Sequence, residues 1–208
     1  KTRYIFSDIH VVTSSVLTAG LSDAVNKTLT EPSYYIPFWV SKRIIKRSKS
    51  RNDKFENVTY MGANSNLAKP FRTDKWVNRL KENGFNFLRT RKKWYDFNNT
   101  DVSLFIRKVN RLCGLNKPAQ KLYNSWAAGV PVICGNEVEI RIARESQYDF
   151  LIANNIDETI EKLKFLRDNI GYRKKIINNG LLRYEKEFSH DVLLRNWRNF
   201  FEHFVREE

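Results

Sequence analysis

A chain of 208 residues with 41% apolar side chains can build one domain with an appendage, or two small domains, which excludes global disorder. Its formal charge of +14 attracts polyanions: nucleotide phosphates, nucleic acid or an acidic membrane surface. No apolar run reaches the ~20 residues that span a bilayer, and the only two cysteines, Cys113 and Cys134, fit neither a CxxC metal site nor a disulfide framework, which argues against a structural zinc site.

So few cysteines fit a reducing compartment, and the opening Lys1-Thr2-Arg3 precedes no apolar leader; both point to a piece of an intracellular protein. Ile9 to Ser14 (IHVVTS) reads as a short buried strand. Tyr34 to Val40 is a second apolar run, but Pro37 makes it an edge strand or an extended linker. Ser41 to Lys54 is dense in Lys and Arg and reads as a solvated, mobile loop. Asn57 to Met61 (NVTYM) is a strand running into Gly62. Thr73 to Asn83 is a helix closed by Gly84. Phe85 to Leu88 and Asp101 to Ile106 are strands, Pro118 to Ala128 a helix with Pro in its first turn, and Pro131 to Cys134 a strand. Glu137 to Glu145 is helical, Asp149 to Ala153 a strand, and Asp157 the expected cap of an amphipathic helix ending at Asp168. Strands alternating with helices at this spacing build a Rossmann-like parallel sheet with helices on both faces. Tyr172 to Phe188 and Ser189 to Val205 close the chain as helices. The last gathers Leu193, Leu194, Trp197, Phe200, Phe201 and Phe204 on one broad face that must be buried.

The segment Lys117 to Cys134 (KPAQKLYNSWAAGVPVIC) is a loop, a helix, a glycine turn and a buried strand. The helix start presents unpaired N–H groups and the positive end of the helix dipole, with Lys117 and Lys121 beside it. That combination suits a diphosphate. In a parallel sheet such helix starts lie at the carboxyl ends of strands, where ligands bind.

These residues resemble the donor-site signature of GT-B-fold glycosyltransferases, a Lys/Pro loop, then Lys-Leu, then a helix ending in A-x-G-x-P-V-I. Asn57 to Leu67 is similar to the first strand and Gly loop of their C-terminal domain. Trp94-Tyr95-Asp96 with Asp101 to Arg107 is similar to the stretch before the donor loop, and Phe188 to Phe201 to their closing helices. The resemblance implies the C-terminal half of a GT-B enzyme. Residues 1–40 would end an acceptor domain and form the linker, 41–188 would bind the nucleotide sugar, and 189–208 would form a helix crossing back.

It implies a nucleotide-diphosphate sugar as donor substrate, with no cofactor and no metal, and a glycan or lipid-linked acceptor. Arg107, Lys117, Lys121, Leu122 and Gly62 would hold the diphosphate, while Asn124, Glu137 and Asn64 would meet the ribose or sugar. Many retaining members carry two glutamates eight positions apart, where this chain has Asn116 and Asn124, so Glu137 is the substitute carboxylate and the catalytic residues stay unassigned.

Each of these residues has a plainer reading: exposed helix lysines, a sheet-edge salt bridge for Arg107, a simple turn at Gly62, a dipole-favoured carboxylate at Glu137. Glu139 is a weaker carboxylate than Glu137, and Tyr123 and Trp126 read as core. His10 and Asp8 fit local hydrogen bonding, and His190 and His203 form no Ser-His-Asp arrangement. The location expected is cytoplasmic, with peripheral contact to an anionic inner membrane face. The rival reading is a non-catalytic nucleic-acid module, tracking phosphates with Ser41 to Lys54 and Arg89 to Trp94.

Overall fold

A computed structural model describes residues 9–14, 33–107 and 118–204. Its centre is a sheet of five strands, β3 (Asn57–Met61), β4 (Asn86–Thr90), β5 (Val102–Phe105), β6 (Val132–Cys134) and β7 (Leu151–Ile152). They lie in the order β4-β3-β5-β6-β7 with every neighbouring pair parallel. Parallel strands need crossovers, and α1 (Asp74–Glu82), α2 (Gln120–Ala127) and α3 (Val138–Ile142) supply three of them. The helices α4 (Ile156–Asp168) and α5 (Ile170–Arg183), a π-helical turn Tyr184–Phe188 and α6 (His190–Phe204) follow β7.

The strand alternation sorts the core into two layers. Val58, Tyr60, Leu104 and Ile133 pack with Trp76 and Leu80 of α1, Leu163 and Leu166 of α4, and Ile176 of α5. Phe105, Val132 and Cys134 face the other way, against Leu122, Tyr123 and Trp126 of α2, Ile140 of α3 and Phe188. Burial on both faces is why NVTYM and VSLF read as continuous rather than alternating runs. The helix ends are chemically marked. The Thr73 hydroxyl accepts from the Trp76 amide at 3.3 Å, and Gly84 ends α1 at φ 78. Helix α4 is capped by Asn155 rather than by the expected Asp157. Asn155 Oδ1 accepts from the Glu158 amide at 2.9 Å, and the Glu158 carboxylate returns to the Asn154 amide at 2.9 Å.

Gly180 sits mid-helix in α5 because Trp126 packs flat against it. A Cβ there would stand 2.5 Å from Trp126 Cδ1, and Trp126 is held in place by donation from Nε1 to the Asp149 carbonyl at 3.0 Å. Alanine favours a helix over glycine by ~1 kcal/mol, but overpacking costs ~1–3 kcal/mol. Gly180→Ala should therefore lower the unfolding free energy in urea by about 1 kcal/mol. A gain in stability would show that Trp126 yields freely.

The basic run departs from the expected solvated loop. Lys42, Arg43, Lys46, Lys49 and Lys54 are exposed, but Arg47 and Arg51 turn inward onto the buried Asp101. Arg47 donates to Oδ1 from Nε at 3.0 Å and from Nη2 at 2.8 Å. Arg51 donates from Nε to Oδ1 at 2.7 Å and from Nη2 to Oδ2 at 2.6 Å. The amides of Glu56 and Asn57 complete the shell at 3.0 and 2.9 Å. One carboxylate thus clasps the run to the starts of β3 and β5.

Strands β1 (His10–Val12) and β2 (Ser33–Tyr35) form a separate parallel pair, and β2 ends before Pro37, which has no amide to pair. Leu193 and Phe200 of α6 are buried with Ile36 and packed by Val11 and Tyr34. Leu194, Phe201 and Phe204 of α6 stay exposed. The broad apolar face expected of this helix is therefore split, half used and half open.

Candidate functional site

Counted in chain order, the five strands lie 2-1-3-4-5, a doubly wound order that changes direction between β3 and β5. Ligands of such sheets bind at the carboxyl ends of the strands flanking that point. Here those ends carry Gly62 and Arg107. Gly62 adopts φ 149, and its amide donates to the Thr90 carbonyl at 2.8 Å. The loop beyond it is pinned: Arg72 donates to the carbonyls of Leu67 and Ser65, Tyr60 donates its hydroxyl to the Ala63 carbonyl at 3.1 Å, and the Ala68 amide donates to Ile106 at 2.9 Å. Loop and strand end are thereby held together, with Leu67 bridged to Arg107.

Lys121, in the first turn of α2, extends over this point. Its Nζ lies 4.4 Å from the Tyr60 ring centre and 5.6 Å from that of Phe105. A Cβ on Gly62 would stand 2.7 Å from Nζ, so the glycine makes room for the ammonium. Burial, reinforced by the Arg107 charge and opposed by Glu137, lowers the Lys121 pKa to about 7. Glu137 is buried too. Its Oε2 meets Arg107 Nη1 at 3.4 Å, while Oε1 has no hydrogen-bond partner among the described residues. Burial raises its pKa, against the pull of Arg107 and Lys121. Two cations and one carboxylate in low dielectric form a site with a net positive charge whenever Lys121 is protonated.

Gly62, Lys121 and Asn124 line one cavity of about 820 Å³, together with Gln120, Arg91, His190 and the aromatic walls Trp39 and Trp94. Arg107 and Glu137 adjoin it through Lys121. Asn64 stands apart, in a neighbouring groove of about 540 Å³ that shares Gly62 and Arg91, and its Oδ1 accepts from Arg89 at 3.3 Å. Leu122 is fully buried in the core, and its amide donates to the Ala119 carbonyl at 2.8 Å. The helix-start amides without a partner among the described residues are those of Gln120 and Lys121 instead. Lys117 and Asn116 lie outside the described residues, as do Asp8 and Cys113. Glu139 is buried as well, but accepts from the Ser14 hydroxyl away from this cavity.

Sequence reasoning missed His190, Gln120 and Trp39 as cavity residues. Only Pro37 hinted that the chain after β2 leaves the sheet and turns its aromatics outward; Trp39 is 54% exposed. Nothing local marks His190, which reaches the cavity from the far end of the chain. Among the described residues no group of three or more His, Cys, Asp or Glu side chains could hold a metal ion, and no helix is long and apolar enough to cross a membrane.

No protein-family model matches the chain, and no curated protein matches it in sequence. Solved structures do match. The chain is similar to sucrose-phosphate synthase from Thermosynechococcus elongatus, with TM-score 0.64 and 13% identity, over 96% of this chain and 59% of that one. It is similar to Anabaena Alr3699/HepE in complex with UDP and glucose, with TM-score 0.68 and 12% identity, over 96% and 64%. A glycosyltransferase from Rickettsia africae matches with TM-score 0.62 and 12% identity, over 95% and 64%. The chain thus spans about three fifths of the length of these structures. Over that span it has the GT-B glycosyltransferase fold: a parallel Rossmann-like sheet covered by helices and ending in a helical segment.

Proposed function

We propose that this chain is the donor-binding half of a glycosyltransferase acting on a nucleoside-diphosphate sugar. The observation that carries the reading is Lys121, half-buried at a helix start and seated on Gly62 at the point where the strand order reverses. A sugar diphosphate leaving group gains negative charge as its glycosidic bond breaks. Lys121, Arg107 and the helix-start amides of Gln120 and Lys121 would stabilise that charge, in a scheme that assigns no metal. Asn124 and Glu137 would meet hydroxyls of the donor. Structures crystallised with UDP share the fold, which makes UDP the first nucleotide to try. An acceptor domain of similar architecture, joined through residues 1–40 and crossed by α6, would hold a glycan or lipid-linked acceptor and any general base. The packing of α6 on β1 and β2 supports that division. A cytoplasmic enzyme whose exposed lysines and arginines rest on an anionic membrane face fits the charge.

The test is a calorimetric titration of the chain with UDP, GDP, CDP and ADP beside a short oligonucleotide, at moderate salt. One diphosphate should bind saturably and the oligonucleotide weakly. Because Lys121 titrates near pH 7 in the open site, a bound diphosphate raises its pKa and binding takes up a proton. The affinity should therefore fall as pH rises from 7 to 9, with heat that depends on the buffer. Tight, salt-sensitive oligonucleotide binding with no nucleotide preference would establish the nucleic-acid module instead.

A further inference from the structure

Two residues that line the 820 Å³ cavity each carry a buried polar atom without a hydrogen-bond partner among the described residues: Asn124 Oδ1 and His190 Nε2. Native proteins leave few such atoms, since each costs ~1–3 kcal/mol, so a pair in one cavity calls for a ligand. They come from separate elements. Asn124 stands on α2, three residues and so one helical face along from Lys121, and is 4% exposed. His190 opens α6, just past Ser189, whose extended backbone (ψ 158) ends the preceding π-helical turn.

We propose that His190 is a donor-recognition residue, which with Asn124 reads a hydroxyl of the nucleotide sugar. The proposal rests on the donor-domain reading above. An amide oxygen can only accept, so its missing partner is an O–H or N–H, which a phosphate oxygen does not offer. An imidazole nitrogen pairs equally well with a hydroxyl. A ligand whose diphosphate meets Lys121 brings hydroxyls within the same cavity, from its ribose or from the sugar it carries. The shared chemistry is a sugar hydroxyl. The same contact explains why the C-terminal helix is joined to the site: substrate recognition then depends on α6 being docked.

The experiment measures the affinity of the chain for UDP, 2′-deoxy-UDP and UDP-glucose in wild type, His190→Ala and His190→Gln, with unfolding midpoints as the check on folding. His190→Ala should weaken binding about tenfold, with His190→Gln, which keeps a hydrogen-bonding group there, recovering most of it. A loss shared by UDP and UDP-glucose but absent for 2′-deoxy-UDP assigns the hydroxyl to the ribose. A loss confined to UDP-glucose assigns it to the transferred sugar. Unchanged affinity of a folded His190→Ala for all three ligands overturns the assignment alone. A wild-type chain that binds none of them overturns the donor-domain reading on which it stands.

Discussion

Replacing Lys121 by methionine should weaken diphosphate binding steeply and, at neutral pH, make the fold more stable. Methionine keeps the length of the side chain and its packing on Tyr60 and Phe105 without the charge. Losing a charge-assisted contact to a diphosphate weakens binding about 100-fold. The stability effect has the opposite sign because burial holds the Lys121 pKa at about 7, below the usual lysine range. A base whose folded pKa is lowered penalises the fold fully below pH 7. Between pH 7 and the unfolded value the denatured chain binds more protons, so wild-type stability from this group rises with pH. Methionine lacks the penalty throughout. The variant should gain on the order of 1–2 kcal/mol at pH 6.5, less than the ~1.4 kcal/mol per pKa unit of a fully buried group, since Lys121 is only partly shielded. That gain should vanish above the unfolded lysine pKa. Undiminished UDP binding by this variant would remove Lys121 from the site. Binding and stability moving in opposite directions is the trade-off expected of a strained functional residue.

Asp101→Asn should be the most damaging single change away from the cavity. The carboxylate is fully buried and receives Arg47, Arg51 and two backbone amides. Asparagine leaves Arg47 without a counter-charge and Arg51 with only the exposed Glu56 at 3.2 Å, at a cost of about 3–5 kcal/mol. Burial alone would raise the Asp101 pKa. Hydrogen bonds from Arg51, the Glu56 and Asn57 amides and Arg47 outweigh it and hold the value below the usual carboxylate range. An acid with a lowered folded pKa contributes stability that is complete above its unfolded pKa and is lost as pH falls through the folded one. Wild-type stability should therefore decline in this acidic window, and Asp101→Asn should show a flatter acid limb. Urea unfolding from pH 3 to 7 measures both. A loss under 1 kcal/mol at pH 7 would mean the clasp is dispensable.

What could be read from the residues follows from the range of the forces involved. NVTYM, PVIC and the α2 segment declare themselves because a strand buried on both faces must be apolar throughout, and because Gly84 and Gly129 adopt positive φ where the chain leaves each helix. Gly62 and Lys121 were legible as a pair, because a strand-end glycine and a first-turn lysine are each local signals and the parallel topology brings them together. Interactions spanning long sequence distances were not. Nothing in Ser41 to Lys54 says that Arg47 and Arg51 belong to Asp101, some fifty residues on, while their neighbours face water. The cap at Asn155 lies two residues before the expected Asp157, which offers the same chemistry in the sequence. The aromatic stripe of α6 gave the helix but not which side is covered, because the covering residues Val11, Tyr34 and Ile36 lie at the other end of the chain. His190 belongs to that class: its role depends on where α6 docks.

The most direct measurement is a ¹H–¹⁵N NMR titration of the isotope-labelled chain with UDP, following backbone amides and the lysine ammonium signals. Saturable shifts should centre on Gly62, Gln120, Lys121 and Asn124, with the Lys121 ammonium slowed in exchange as its pKa rises. Shifts that never saturate, or that collect on the exposed Lys46, Lys49, Lys92 and Lys93 and leave Lys121 unmoved, would contradict it.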